Sequence, residues 1–250
     1  MISLSTTVVL FFVAVLTSII SAVTSMAGGT ILLSLMSLFL PFQLLVPLHG
    51  VIQLVSNSSR TVTLFRQISW RLILPYAAGL PFGVWVAINL IRQVENKEVF
   101  HLFIAGLIFY TLFKPKSWQK IVLPVPLFFF VGLCAGFLSP LVGATGPFLS
   151  PFFLRDELDK KSLVASVSMA QTLTHLLKIP AFLSLGFNYI PHLGFIAALS
   201  VAAFVGTYLG VRLLDKVNEK LFLKIFKVVL FVIACRLVVV SLMGMSGGWG

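Results

Sequence analysis

The sequence predicts an all-α polytopic membrane protein made of two inverted repeats, and three observations carry that prediction. Of its 250 residues, 59% are hydrophobic and 10% charged, with a mean hydropathy of +1.08, which lies outside the range of ordinary soluble domains. A polar signature occurs twice at the same helical spacing: Gln53, Asn57 and Arg60 at i, i+4 and i+7, then Gln171, His175 and Lys178, 118 residues later. A glycine-containing break stands 25 residues before each glutamine, Ala27-Gly28-Gly29 in one case and Ala144-Thr145-Gly146-Pro147 in the other. Duplicated halves with broken helices and paired polar stripes are the outline of a secondary transporter.

Taken in order, the first element is a chargeless, glycine-broken segment over about 5–40, followed by the first stripe helix around Gln53. Residues 1–59 hold no Lys, Arg, Asp or Glu. The segment ends in small residues, Ser21 to Ala27, as a signal peptide can, but it lacks a basic start, and we read it as mature sequence. Segments near 72–91 and 98–113 are about long enough, or nearly so, to cross ~30 Å of hydrocarbon. The first of them carries Gly79-x-x-x-Gly83, a spacing that favours close helix contact in lipid. The first repeat thus runs 1–114 and a basic cytoplasmic linker occupies 115–120. The second repeat, 121–250, follows the same order: a broken segment (121–154), a stripe helix (162–177), a helix with Gly206-x-x-x-Gly210 (192–211) and a last helix (221–241). This makes about eight membrane helical segments. Runs such as Leu102 to Phe113 do not alternate, which argues against a β-barrel.

Loop charge decides how 121–154 sits. If it crosses once, the two sides hold 7 and 8 Lys/Arg; if it returns to its starting side, they hold 12 and 3. The positive-inside rule selects the second arrangement. A re-entrant element plus three crossings is an odd unit, so the two halves have opposite orientation. By symmetry, 5–40 is re-entrant as well, with two extra full crossings as the fallback.

After each break a short helix is expected near Thr30 and near Phe148. Its first N–H groups lack partners and carry about half a positive charge, which makes an anion site that glycine lets a ligand approach. The candidate substrate site is therefore Gly28, Gly29, Thr30, Gln53, Asn57, Arg60, Gly146, Pro147, Gln171, His175 and Lys178, with Thr174 beside them. Alternatives remain at each position. The glycines and Pro147 can simply kink helices, the amides can glue helices together, and Arg60 and Lys178 can snorkel to headgroups. In the inverted arrangement the two cations instead guard opposite mouths of one route.

All seven carboxylates (Glu95, Glu98, Asp156, Glu157, Asp159, Asp215, Glu219) fall in loops or at helix ends. The usual intramembrane ligand for Na⁺ and the usual proton relay are thus missing, which disfavours cation transport. Proton coupling would have to use His49 or His175. Arg236, deep in the last helix, calls for a partner the sequence does not reveal. The net charge of +11 is accounted for by inter-helix loops, so no nucleic-acid partner is expected. No Ser/His/Asp set, metal-ligand cluster or cofactor motif is present, and an enzyme is not expected. The expected partners are a small anion and the lipid bilayer.

These residues also carry a family resemblance. Ala27-Gly28-Gly29, the run Pro47-Leu48-His49-Gly50-Val51-Ile52-Gln53-Leu54-Val55-Ser56-Asn57 and Ser59-Arg60 resemble the sulfite exporter TauE/SafE family of permeases. Gly146-Pro147-Phe148, Pro151-Phe152-Phe153 and Gln171-x-x-Thr174-His175-x-x-Lys178 do so in the second half. The chain departs from the commoner Gly-x-Gly-Gly-Gly at each break. The resemblance implies export of small sulfur oxyanions such as sulfite, sulfoacetate or related sulfonates across a prokaryotic plasma membrane. Two other readings stand beside an alternating-access exporter: a passive anion channel of the same fold, and a thiol–disulfide electron conduit using Cys134 and Cys235.

Overall fold

The computed structural model describes residues 2–24, 27–95, 99–113 and 121–213, with isolated positions 231, 234, 235, 238, 239 and 242. Among these residues every regular element is helical: α1 (Leu4–Thr24), α2 (Ala27–Met36), α3 (Phe42–Thr63), α4 (Trp70–Gln93), α5 (Val99–Phe113), α6 (Phe128–Val142), α7 (Gly146–Phe153), α8 (Lys160–Ser184) and α9 (Leu193–Leu213). The linker at 115–120, Arg236 and most of the helix expected at 221–241 lie outside the described residues.

Among the described residues, four stretches are long and apolar enough to cross a membrane: Leu4–Val23, Trp70–Gln93, Val125–Val142 and Ile190–Leu213. The stripe helices α3 and α8 are equally long, at 22 and 25 residues, but too polar to face lipid on every side. They pack on each other at the centre, and α4 and α9 pack against them. Each broken segment is a long helix followed by a short one, α1 then α2 and α6 then α7. The glycines of both breaks lie within helices rather than ahead of them, Gly28 and Gly29 in α2 and Gly146 in α7. The reason is local: Gly28, Gly29 and Gly146 accept helical dihedrals, and Pro147 is pre-set for a first helical turn.

Both broken segments return toward their own starting end. The Ile121 N–H donates to the Pro151 carbonyl at 2.8 Å, and the Arg155 guanidinium donates to the Leu123 carbonyl at 2.8 Å. In the first half, Ile2, Ser3 and Thr6 share a cavity with Phe39, Leu40 and Pro41. Loops 64–69, 121–127 and 154–159 consequently meet at one end of the bundle, where Leu64, Ile68, Leu123 and Leu158 join one apolar cluster. Ser69 N–H donates there to Ser166 Oγ at 2.9 Å. At the opposite end Phe42, Gln43, Ile91, Leu185 and Phe187 line one cavity. This geometry is compatible with the re-entrant reading and with two inverted halves.

The halves interlock through glycine. α4 lies on α6 and α1 on α9, so each hairpin packs on a helix of the other half. Gly79 and Gly83 leave no room for a Cβ against the carbonyls of Phe129 and Leu133, nor do Gly132 and Gly136 against those of Tyr76 and Leu80. Gly206 stands likewise against Val15, and Gly210 against Ile19 and Ala22. Between lipid-solvated helices dispersion supplies the attraction, so backbones that approach this closely gain most from it.

Candidate functional site

α3 and α8 carry the site and run antiparallel. The Thr61 and Thr172 hydroxyls meet at 3.1 Å, the His49 and His175 rings stand 5.9 Å apart, and Lys178 lies on Gly50. Numbers that fall on one helix rise on the other. Residues 118 positions apart therefore lie on opposite sides of a shared centre. Two equivalent bonds tie these helices outward: Ser56 Oγ to Thr207 Oγ1 at 2.8 Å, and Tyr76 Oη to Thr174 Oγ1 at 2.6 Å.

The stripe is sealed inside the protein. Gln53, Asn57, Arg60, Gln171, His175 and Lys178 are each at most 4% exposed. Arg60 and Lys178 are both fully buried, so neither side chain lies on the protein surface as a snorkelling cation would. Arg60 donates to Asn57 Oδ1 at 2.6 Å and to Ser21 Oγ at 2.9 Å, while its Nε has no partner. Asn57 in turn donates to the Gln53 carbonyl at 2.8 Å. Lys178 Nζ donates to the Gly143 carbonyl. Among the described residues no carboxylate pairs with either cation, and Arg155–Glu157, at the bundle's end, is an ion pair of a different kind.

The breaks sit against this stripe. Gly29 faces Gln53, where a Cβ would stand 3.3 Å from the amide carbon, and the Gly29 carbonyl meets His49 Nε2 at 2.9 Å. Gly28 turns the other way, onto Thr17 and Ser21 of α1 with no space for a side chain; its smallness serves helix packing. Gly143, next to the second break, has φ of +78°, a conformation glycine adopts without strain, and this presents its carbonyl to Lys178. Gly146 and Pro147 form the first turn of α7. Thr145, the residue preceding that helix, makes no capping bond.

Among the described residues, several polar groups on the break segments and the stripe helices have no partner. Thr30 Oγ1 in the first turn of α2, Thr145 Oγ1 ahead of α7, Ser139 Oγ on α6, and Nδ1 of both His49 and His175 are buried and unpaired. A buried polar group left unmatched costs about 1–3 kcal/mol, so such groups on the breaks and stripes are a liability unless something else binds them. Arg60 Nε, the spare ammonium protons of Lys178 and these hydroxyls are donors. The arrangement suits a small ligand rich in acceptors and negatively charged.

Sequence reasoning missed Ser21, Ser139, Gly50 and Gly143 as members of the site. Ser21 and Ser139 are 118 residues apart, the same offset as the stripes, so the repeat itself held the clue. Cys134 is exposed on α6 and Cys235 half-buried, both as free thiols. Among the described residues no group of His, Cys, Asp and Glu could hold a metal ion.

A family model described as Sulfite exporter TauE/SafE matches residues 10–237. No curated protein and no solved structure matches the chain.

Proposed function

The chain belongs to the sulfite exporter TauE/SafE family, and from that premise we propose that it is a secondary transporter exporting small sulfur oxyanions, such as sulfite, sulfoacetate or related sulfonates, by alternating access. The observation that carries this reading is a pair of fully buried cations, Arg60 and Lys178, with no carboxylate partner among the described residues. Taking an unpaired charge out of water costs several kcal/mol, and an anion between them offsets that penalty. The anion sits where the first turns of α2 and α7 face α3 and α8. Arg60 and Lys178 supply charge, Gln53, Asn57, Gln171 and Thr30 supply hydrogen bonds, and Thr145 and the N–H groups at Gly29 and Gly146 complete the cage.

Enclosure on all sides is what a carrier passes through between its two open states, and a standing channel has no need of it. A ligand drives that transition only by binding the two states differently, and cations displaced to opposite sides of the α3–α8 centre provide such a difference. We place the protein as a multi-pass component of a prokaryotic plasma membrane, with its halves inverted.

The test is export from proteoliposomes loaded with sulfite or sulfoacetate, read alongside thermal stabilisation of the purified protein. A ligand at a hundredfold excess over its Kd adds about 2.7 kcal/mol of apparent stability. Stabilisation by at least one sulfur oxyanion, lost in Arg60→Gln, supports the site. Uptake and stabilisation indifferent to every sulfur oxyanion would remove it.

A further inference from the structure

The glycine contacts sort the helices into two bodies. Gly28 meets the Thr17 carbonyl, Gly206 that of Val15 and Gly210 that of Ile19, so α2 and α9 both close onto α1 with no room for a Cβ. Gly79 and Gly83 meet the Phe129 and Leu133 carbonyls, while Gly132 and Gly136 meet those of Tyr76 and Leu80, so α4 and α6 close on each other in the same way. Side-chain bonds complete the same two groups. α3 is tied to α9 by Ser56 and Thr207 at 2.8 Å, to α1 by Arg60 and Ser21 at 2.9 Å, and to α2 by His49 and the Gly29 carbonyl at 2.9 Å. α8 is tied to α4 by Tyr76 and Thr174 at 2.6 Å and to the end of α6 by Lys178 and the Gly143 carbonyl, and α7 packs on α8.

One body is therefore α1, α2, α3 and α9, and the other is α4, α6, α7 and α8. Each contains helices of both sequence halves, and each holds one stripe together with its own break. Where the bodies meet, along α3 and α8, the glycines face side chains instead of backbone. Gly50 faces the Lys178 stem, and Gly143 faces Leu33 Cδ1 of α2. Thr61 and Thr172 join hydroxyls across the same seam at 3.1 Å. α5 lines a cavity with α6 and α7 and stacks Phe100 on Phe42 of α3 at 4.7 Å, so it belongs to neither body.

Resting on the transport reading above, we propose that the moving units are these two exchanged bundles rather than the two sequence halves, and that the sealed stripe opens by parting α3 from α8. Separating the sequence halves would pull α4 off α6 and α1 off α9, where backbones interlock. Parting the seam asks side chains to re-pack, as in hinge and shear motions, and leaves the bonds between each stripe and its break intact. The chain passes between the bodies at 64–69 and at 185–192. Gly186, in the second connection, has φ of +84° and nothing within 4 Å of a Cβ, so it turns without displacing a packed neighbour.

The test is cross-linking in the full chain carrying Cys134→Ser and Cys235→Ser, reconstituted in proteoliposomes loaded with sulfite. Thr61→Cys/Thr172→Cys spans the seam. Ser56→Cys/Thr207→Cys joins the sequence halves inside one body. Phe82→Cys/Phe129→Cys, whose native rings lie 5.9 Å apart, joins them inside the other when bridged by a short bifunctional thiol reagent. Oxidation of the seam pair should abolish sulfite efflux and reduction should restore it, whereas linking either in-body pair should leave efflux at its value before linking. Arrest by either in-body link would overturn the proposal, because the sequence halves would then be what moves. Unchanged efflux with all three pairs linked would overturn it as well. Efflux of neither sulfite nor sulfoacetate before any link is made would overturn the transport reading itself. The in-body pairs decide between bundles and halves even if the seam variant fails to fold.

Discussion

At the scale of single residues, Arg60 and Lys178 occupy equivalent places in the two halves but are held unequally. Arg60 has two side-chain acceptors, and Lys178 has one carbonyl. Replacing a poorly matched buried charge by a neutral side chain removes a desolvation penalty, and sites tuned for function often carry such a penalty. Lys178→Met should therefore keep or raise the melting temperature of the ligand-free protein while abolishing anion-dependent stabilisation. Arg60→Met should lower it, because Asn57 Oδ1 and Ser21 Oγ lose their donor, at about 1–3 kcal/mol for a buried group left unpaired. Differential scanning fluorimetry without and with sulfite reads both, and a Lys178→Met protein that melts far earlier yet still responds to sulfite would contradict the assignment. Gly50 gives a milder version of the same test. A Cβ there would stand 3.1 Å from Lys178 Cδ, so Gly50→Ala should weaken anion binding severalfold by displacing the ammonium with little loss of fold.

At the scale of elements, the glycines divide into those that let backbones touch and those that do not. Gly79 and Gly132 stand where α4 and α6 exclude a Cβ, whereas nothing lies within 4 Å of one at Gly106 or Gly194. Gly79→Ala and Gly132→Ala should each destabilise by about 1–3 kcal/mol or more through overpacking. Gly106→Ala should be neutral or stabilise by up to about 1 kcal/mol, since alanine is the better helix former. Equal melting temperatures for all of these variants would show that the interlock does not hold the halves together. The start of α8 adds a pH-dependent element. Asp159 accepts the Ser162 N–H at 2.8 Å, and the Ser162 hydrogen bonds hold its carboxyl below the usual range. A depressed carboxyl stabilises the fold above its unfolded-state value, and that contribution disappears as pH falls through the folded value. Asp159→Asn keeps a cap without the charge, so between neutral and acidic pH its stability should change less than that of the unaltered chain. The effect is a small one, because the group is exposed.

Much of the whole molecule was legible in the sequence, for physical reasons that also mark where legibility ended. Hydropathy located α4 and α9 because membrane-length apolar runs have few alternative uses. The 118-residue repeat located α3 and α8 because polar stripes are rare in lipid-facing helices. Positions that act through backbone contact were hidden: Gly143 serves through its carbonyl, Gly50 by making room, and Gly132 and Gly136 by facing α4. Gly28, Gly29 and Gly146 read as breaks in the sequence yet lie within α2 and α7, because glycine also fits helical dihedrals.

Sidedness is the molecular property on which the inverted arrangement rests, and it can be measured. Arg66 and Glu157 belong to loops that meet at one end of the bundle through Leu64 and Leu158, and Asn188 belongs to the opposite end, next to Phe187. Basic residues concentrate at the first end, which the positive-inside rule makes cytoplasmic. In a chain with Cys134 and Cys235 replaced by Ser, cysteines introduced at Arg66 and at Glu157 should both resist an impermeant maleimide in intact cells and react after permeabilisation, and one at Asn188 should react without it. Arg66 and Glu157 are separated by α4, α5 and the α6–α7 hairpin. They share a side only if that hairpin contributes no net crossing. Labelling of the two from opposite sides would mean that the hairpin spans the membrane, that α3 and α8 are not related by inversion, and that Arg60 and Lys178 do not stand on opposite sides of one site.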